Sequence, residues 1–212
     1  MDGLFSLFPT CPTENLPKQS TSGVAGLTAL STSATASGYQ QLANLSYAES
    51  TFVCPSYWLA EAYSKIGKKG FKIQYSVPIA LHSYDEIALF GNMRLPIHGD
   101  DFVEALQTIV GRFVKMGTPS FSSNIVSSRS ESLENWPTFT APHYKMVNSN
   151  QTGGKKVPVN STLDPRLHGI CASWYIGPGL RNSFETVNGR GWEGGRGLRC
   201  DFWRSIAGKA PL

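Results

Sequence analysis

The chain has 212 residues, of which 41% are hydrophobic and 16% are charged, and its formal net charge at pH 7 is +4. This composition predicts a globular protein and excludes a chain that is disordered throughout. The basic residues are scattered and form no recognisable nucleic-acid-binding module, so nucleic acid is not an expected partner. No apolar run reaches the roughly 18 residues that indicate a membrane span.

The first part of the chain predicts a loop-rich segment followed by helix. Residues 19–38 are small and polar, as in linkers, and we assign residues 1–38 to a loop-rich N-terminal segment. The start has an acidic residue and an early proline, so no signal peptide is predicted. Between Tyr39 and Tyr63 apolar residues recur at helical spacing, and Pro55 is expected to start a new helix or to kink this one.

A predicted strand then leads into a turn that carries a histidine. Apolar and polar residues alternate over residues 71–77, and Pro78 ends the strand. His82 follows shortly after, where reacting groups lie in open α/β sheets. From position alone, His82 is either a general base or an ordinary loop histidine. Asp85 and Glu86 are expected to begin the next helix, where acids suit the helix dipole, with a role in orienting His82 as the alternative.

The clearest predicted helix lies between residues 99 and 117. Asp100 or Asp101 can cap its start, and Gly117 is expected to end it. One face is apolar and consists of Phe102, Leu106, Ile109, Val110 and Phe113. We interpret it as a core helix without a chemical role.

The last third predicts little regular structure. Residues 136–148 are expected to form a short edge strand after a proline-rich corner, and residues 148–170 a polar loop. A glycine-rich approach from residue 191 leads into a short amphipathic helix with Phe202, Trp203 and Ile206. The order of helices and strands predicts the α/β class, with an incomplete sheet and flanking helices.

The cysteines permit disulfides and do not predict a metal site. They are Cys11, Cys54, Cys171 and Cys200, and no two have CxxC spacing. Three N-glycosylation sequons begin at Asn44, Asn150 and Asn160. These asparagines are candidate glycosylation sites if the chain enters the secretory pathway, and chance occurrence in a chain rich in serine and threonine is the alternative.

Five stretches of the chain carry a resemblance to a known family, in the family's order. They are YAESTFVCPSYWLAEAY from residue 47, YSVPIALHSYDEIALFG from 75, ALQTIVGRFVKMGTPS from 105, WPTF from 136 and WEGGRGLRCDFW from 192. Together they resemble the C-terminal portion of fungal type B carboxylesterases and lipases, which are cholinesterase-like α/β-hydrolases. The resemblance implies that residues 39–212 are the C-terminal part of such a domain.

The resemblance also implies roles for individual residues. His82 would be the general base that takes the proton of a serine nucleophile during hydrolysis of an ester substrate, a reaction that needs no cofactor. Cys54 and Cys200 would form a disulfide, with two reduced thiols as the alternative, while Cys11 and Cys171 match no family pair. Members of this family are typically secreted.

Several features depart from the family pattern. Ser83 stands where the family usually has glycine, and Val110 or a neighbour stands where a tryptophan is common. The sequence contains no G-x-S-x-G nucleophile motif and no HGGG-type oxyanion stretch, and no glutamate before His82 lies in the family's acid motif. We therefore expect the chain alone to be inactive and an N-terminal half of the domain to be its partner. The alternative is a non-catalytic secreted scaffold or interaction module on the same fold.

Overall fold

The computed structural model describes residue 43 and residues 46–77, 80, 83–91, 97–122, 133–158 and 173–209. Its elements in chain order are α1 (Cys54–Lys65), β1 (Ile73–Tyr75), α2 (Tyr84–Phe90), α3 (Asp100–Met116), β2 (Lys145–Thr152), β3 (Lys155–Pro158), β4 (Ser173–Ile176), β5 (Arg181–Asn188) and α4 (Trp192–Ile206). A π-helical turn, Glu49–Val53, precedes α1, and a 3-10 turn, Leu133–Asn135, precedes β2.

Two small sheets organise the strands. The larger has the order β1–β2–β5, with β1 parallel to β2 and β2 antiparallel to β5. Strands β3 and β4 form a separate antiparallel pair. Because parallel neighbours need a long crossover, the chain between β1 and β2 has room for α2 and α3. This mixture of helices and small sheets agrees with the predicted α/β class.

Strand β2 differs from its prediction in both position and length. It was expected at a sheet edge, with a polar loop from Asn148 onward, but it continues to Thr152 and lies between β1 and β5. Its polar residues are buried with partners: Ser76 Oγ donates to Asn148 Oδ1 at 2.6 Å, and Ser149 Oγ donates to the Gln74 carbonyl at 2.9 Å. A strand this polar can be central because its buried polar groups are hydrogen-bonded.

Helix α3 confirms the predicted helix and its end. Gly117 adopts a φ of +68° and donates its N–H to the Phe113 carbonyl, which is the usual way for glycine to end a helix. At the start the capping position is Gly99, and Asp101 Oδ1 accepts the N–H of Phe102 at 2.9 Å. Three of the predicted core residues are buried, namely Phe102, Leu106 and Ile109, whereas Val110 and Phe113 remain 36% and 47% exposed.

The helices next to the two cysteines also follow from local sequence. The π-helical turn continues directly into α1, and Pro55 lies in the first turn of α1, within one continuous helical run. Helix α4 begins earlier than predicted, at Trp192. It is kinked where Glu193, Gly194 and Gly195 have positive φ, so only its second part is a regular amphipathic helix.

Apolar side chains form three buried groups. One lies between α3 and the larger sheet and includes Phe102, Val147 and Phe184, and a second surrounds Trp174. The third, which we call the disulfide cluster, consists of Cys54, Tyr57, Ala60, Phe139, Met146, Trp192 and Cys200. Within the described residues, no helix combines the length and hydrophobicity that crossing a bilayer requires.

Candidate functional site

Only some of the predicted site residues lie in the described part of the chain. His82, Asn44, Asn160, Cys11 and Cys171 fall outside it, and their roles stay predictions. Asn150 is described, in strand β2 opposite Ser183. Its side chain is half-buried, and Oδ1 accepts the N–H of Gln151 at 2.8 Å. Glycosylation at Asn150 likewise stays a prediction.

Strand β1 precedes His82 in the sequence, and helix α2 follows it. Strand β1 ends at Tyr75 and leads into Ser76 and Val77, which are buried. The N–H of Ala80 donates to the Val77 carbonyl at 2.7 Å, so the chain turns soon after the strand. Helix α2 begins at Tyr84, which is also buried. In the sequence, His82 stands between Ala80 and Ser83, which the structure describes.

The backbone next to His82 has the conformation that glycine prefers. Ser83 has a φ of +68°, in the left-handed region, and directly precedes α2. Side chains other than glycine, asparagine and aspartate rarely adopt this conformation, which costs roughly 1–2 kcal/mol. The position is the one at which the family that the sequence resembles usually has glycine.

The two acidic residues after His82 lie where helix formation predicts them. Asp85 and Glu86 are in the first turn of α2, and both are exposed. Carboxylates there stabilise a helix by opposing its dipole. Their placement agrees with the helix-start interpretation.

A group that we call the aromatic stack lies beyond the end of β1 and consists of Tyr75, His98, Phe102 and Phe184. The ring of Phe102 stacks nearly parallel to the ring of His98 on one side and to the ring of Phe184 on the other, and the centroids are 5.8 Å apart in both pairs. The Tyr75 hydroxyl and His98 Nε2 are 2.6 Å apart. Burial lowers the pKa of His98 to about 4 and raises that of Tyr75. At neutral pH the phenol and the imidazole are therefore both uncharged, and one hydrogen bond joins them.

The disulfide that the resemblance implied is formed. Cys54 at the start of α1 and Cys200 in α4 have an S–S distance of 2.04 Å and Cα atoms 5.0 Å apart, and both residues are buried. The two cysteines are 146 positions apart in the sequence, so the disulfide joins one of the first described segments to the last helix.

Ion pairs lie around the disulfide cluster and involve two nearby carboxylates, those of Glu61 and Glu49. Glu61 accepts from Arg204 at 2.6 Å, from Lys65 at 3.0 Å and from the Tyr144 hydroxyl at 2.9 Å. Although burial acts to raise the pKa of Glu61, hydrogen bonds from these three groups hold it at about 2. Arg199 binds Glu49 at 2.7 Å. These carboxylates are committed to structural pairs, and among the described residues no group of three or more metal-ligating side chains converges.

One polar contact was not predicted from the sequence. Lys72, just before β1, donates from Nζ to Ser56 Oγ in the first turn of α1, at a distance of 2.7 Å. Nζ also lies 4.5 Å from the centre of the Tyr57 ring. No motif marks this pair, because Ser56 and Lys72 are 16 positions apart and meet only where the segment before β1 lies against the start of α1.

Comparison with known proteins adds no assignment. No protein-family model matches the chain, and no curated protein is significantly similar to it. A functional conclusion therefore depends on the residues of the chain and on their geometry.

Proposed function

We propose that this chain is the C-terminal part of a serine carboxylic-ester hydrolase of the type B carboxylesterase kind and that His82 is its general base. The observation that carries the proposal is the disulfide between Cys54 and Cys200. The sequence resemblance implied this pairing, and Cys54 and Cys200 are joined.

The surroundings of His82 give further support. A strand with a parallel neighbour, a short turn and a helix that begins with two acidic residues follow one another in the order that the resemblance implies. The positive φ of Ser83 suits a position usually held by glycine. An exposed helix start next to a strand end is also a typical location for a catalytic histidine in an open sheet.

The chemistry requires a nucleophile motif, an acid motif and an oxyanion stretch, none of which this sequence contains. His82 would accept the proton of a serine hydroxyl as that oxygen attacks the ester carbonyl, and would return the proton to the leaving alcohol. The serine, an orienting acid and an oxyanion hole would come from an N-terminal half of the domain. Among the described strands, β1 has a neighbour on one side only, which leaves an edge where a further strand of that half can pair.

The decisive experiment joins this chain to the coding sequence immediately upstream of it. If that sequence encodes a G-x-S-x-G motif in frame, the joined polypeptide should hydrolyse p-nitrophenyl butyrate. His82→Ala should lower kcat by at least about 100-fold, since general-base catalysis contributes roughly that much or more. His143→Ala, at an exposed histidine, is the matched control and should leave kcat unchanged.

Two results would overturn this proposal. One is an upstream sequence with no nucleophile motif, and the other is a joined enzyme whose activity survives His82→Ala. The 212-residue chain alone should show no sustained turnover in either case.

The second candidate is a non-catalytic scaffold or interaction module on this fold. It is favoured by the buried apolar groups and the internal disulfide, which provide a core within the chain itself. A soluble chain that unfolds in one cooperative transition, followed by circular dichroism in urea, would support it. An aggregating chain that becomes soluble only with an upstream half would count against it.

A further inference from the structure

The contact between Ser56 and Lys72 has the geometry of a nucleophile and its base. A hydroxyl and an amine within hydrogen-bonding distance, with the base held by a third group, is the arrangement found where a serine is activated. Here Lys72 Nζ is 2.7 Å from Ser56 Oγ and 4.5 Å from the centre of the Tyr57 ring. The hydroxyl is also fixed, because it donates to the Val53 carbonyl at 2.6 Å.

The surroundings of Lys72 favour an uncharged amine. Burial, followed by the positive charge of Arg196, lowers the pKa of Lys72 to about 7. Arg196 is itself 6% exposed, and it is held by Glu193 and by Gln74 Oε1 at 2.6 Å, so the repelling charge has a fixed place. Among the described residues, no carboxylate forms an ion pair with Lys72.

Neither residue of the pair is completely buried. Ser56 and Lys72 are both partly exposed, whereas Ser76 and Ser149 are fully buried. With Lys72 neutral, its nitrogen lone pair can accept the proton that Ser56 otherwise donates to Val53. With a pKa of about 7, the amine is uncharged in part of the molecules near neutral pH.

We propose that Ser56 and Lys72 form a nucleophile–base pair that accepts an acyl group from an activated ester, independently of His82. The Ser56 proton moves to Lys72 Nζ while Oγ bonds to the carbonyl carbon of the ester. The bond to the leaving group then breaks, and the leaving oxygen departs with the electron pair. The products are acyl-Ser56, a Lys72 ammonium ion and the free alkoxide or phenolate. The reagents that fit are esters of small carboxylic acids with a good leaving group.

The test uses the purified 212-residue chain and p-nitrophenyl acetate. Release of p-nitrophenolate should stop at about one equivalent per chain, and peptide mass spectrometry should locate the acetyl group on Ser56. The single-turnover rate should rise with pH around an apparent pKa near 7, the value for Lys72. His82→Ala should give the same burst, which separates this reaction from the activity proposed for the joined enzyme.

Variants distinguish a reactive pair from a structural hydrogen bond. Ser56→Ala should abolish the acetylation of this site, and both Lys72→Met and Lys72→Arg should slow it at least about 100-fold, because neither side chain can take up the proton. Lys72→Arg keeps the positive charge and the hydrogen-bond donor, so a purely structural role would tolerate it. Ser64→Ala is the matched control, since Ser64 lies in the same helix and donates to the Ala60 carbonyl at 3.1 Å.

Folding is checked on each variant by its urea midpoint. Lys72→Met is expected to fold, because it removes a buried amine whose charged form the structure disfavours. Acetylation on Lys72 itself, acetylation at neither residue, or an unchanged rate in a folded Lys72→Met variant would each overturn the proposal.

Discussion

The disulfide cluster and the aromatic stack hold the same larger sheet from two sides by different means. The disulfide cluster joins α1 to α4 by a covalent bond and is bordered by ion pairs such as that of Glu61 with Arg204. The aromatic stack joins β1, α3 and β5 by ring contacts and one hydrogen bond between uncharged groups. A reductant should therefore weaken the disulfide cluster. Acid should weaken the aromatic stack, because it protonates His98.

The largest expected effect comes from removing the covalent link. Replacing both cysteines, Cys54→Ala with Cys200→Ala, should lower the free energy of unfolding by about 5 kcal/mol in the chain-entropy account of a loop of 146 residues. Urea denaturation of the oxidised chain, the reduced chain and the double variant measures it. Reduction and double substitution should agree, and a loss below about 1 kcal/mol would show that the disulfide cluster does not depend on its cross-link.

The next effect comes from the middle of the aromatic stack. Phe102 is fully buried between His98 and Phe184, and Phe102→Ala should lower the free energy of unfolding by about 3–5 kcal/mol through lost burial and the cavity that remains. Val114→Ala in the same helix is the control, and at 76% exposure it should change stability by less than about 0.5 kcal/mol. Similar losses in the two variants would mean that the aromatic stack does not support α3.

Acid should separate the two regions. The unfolded chain takes up a proton at histidine near pH 6.5, but His98 in the folded chain does so only near pH 4, because burial lowers its pKa to about 4. Its stabilising contribution is therefore complete above about pH 6.5 and is lost progressively as the pH falls to about 4. Glu61, with a pKa of about 2, loses its contribution in a lower window, from about pH 4.5 downward.

Unfolding in urea between pH 7 and pH 4 measures this dependence. The wild type should lose on the order of 1–3 kcal/mol more than His98→Gln, which keeps a hydrogen-bond acceptor for Tyr75 but does not titrate. Parallel pH curves for the two proteins would contradict the assignment of a buried neutral imidazole.

The smallest effect concerns Ser83, which directly precedes α2. Ser83→Gly should raise the free energy of unfolding by about 0.5–1 kcal/mol, because glycine adopts a φ of +68° without the steric cost that a side chain meets. Ser64→Gly in α1 should do the opposite and cost about 0.5 kcal/mol, since glycine weakens a helix more than serine does. Thermal unfolding of both variants compares the signs, and a loss of stability in Ser83→Gly would contradict the strained turn.

Elements with a local signal were predictable from the sequence. Helix α3 has an apolar face at helical spacing and a glycine at its end, and both features act within a few residues of one another. The start of α2 at two acidic residues and the start of α1 near Pro55 are of the same kind.

Elements that depend on distant partners were not predictable in this way. Strand β5 was not predicted, because Arg181–Asn188 is largely polar and its ladder partner β2 lies in another part of the sequence. The full length of β2 was missed for the same reason, since Asn148 is buried and bonded to Ser76, which is 72 positions away.

The candidate sites also differ in how far the sequence predicted them. The Cys54–Cys200 pairing was expected from a resemblance spread over the chain, which carries information that spacing alone does not. The contact of Lys72 with Ser56 has no sequence signature, because it depends on how the segment before β1 meets the start of α1 and on the desolvation that follows.

The position of the cross-link also determines how the chain responds to a protease. Most of the molecule lies between Cys54 and Cys200, so a single peptide-bond cleavage anywhere in that span leaves two pieces that remain attached to each other. A nicked molecule would migrate as one species on a non-reducing gel and as two after treatment with a thiol. Nicking within this span would therefore not release either part of the protein until the environment became reducing.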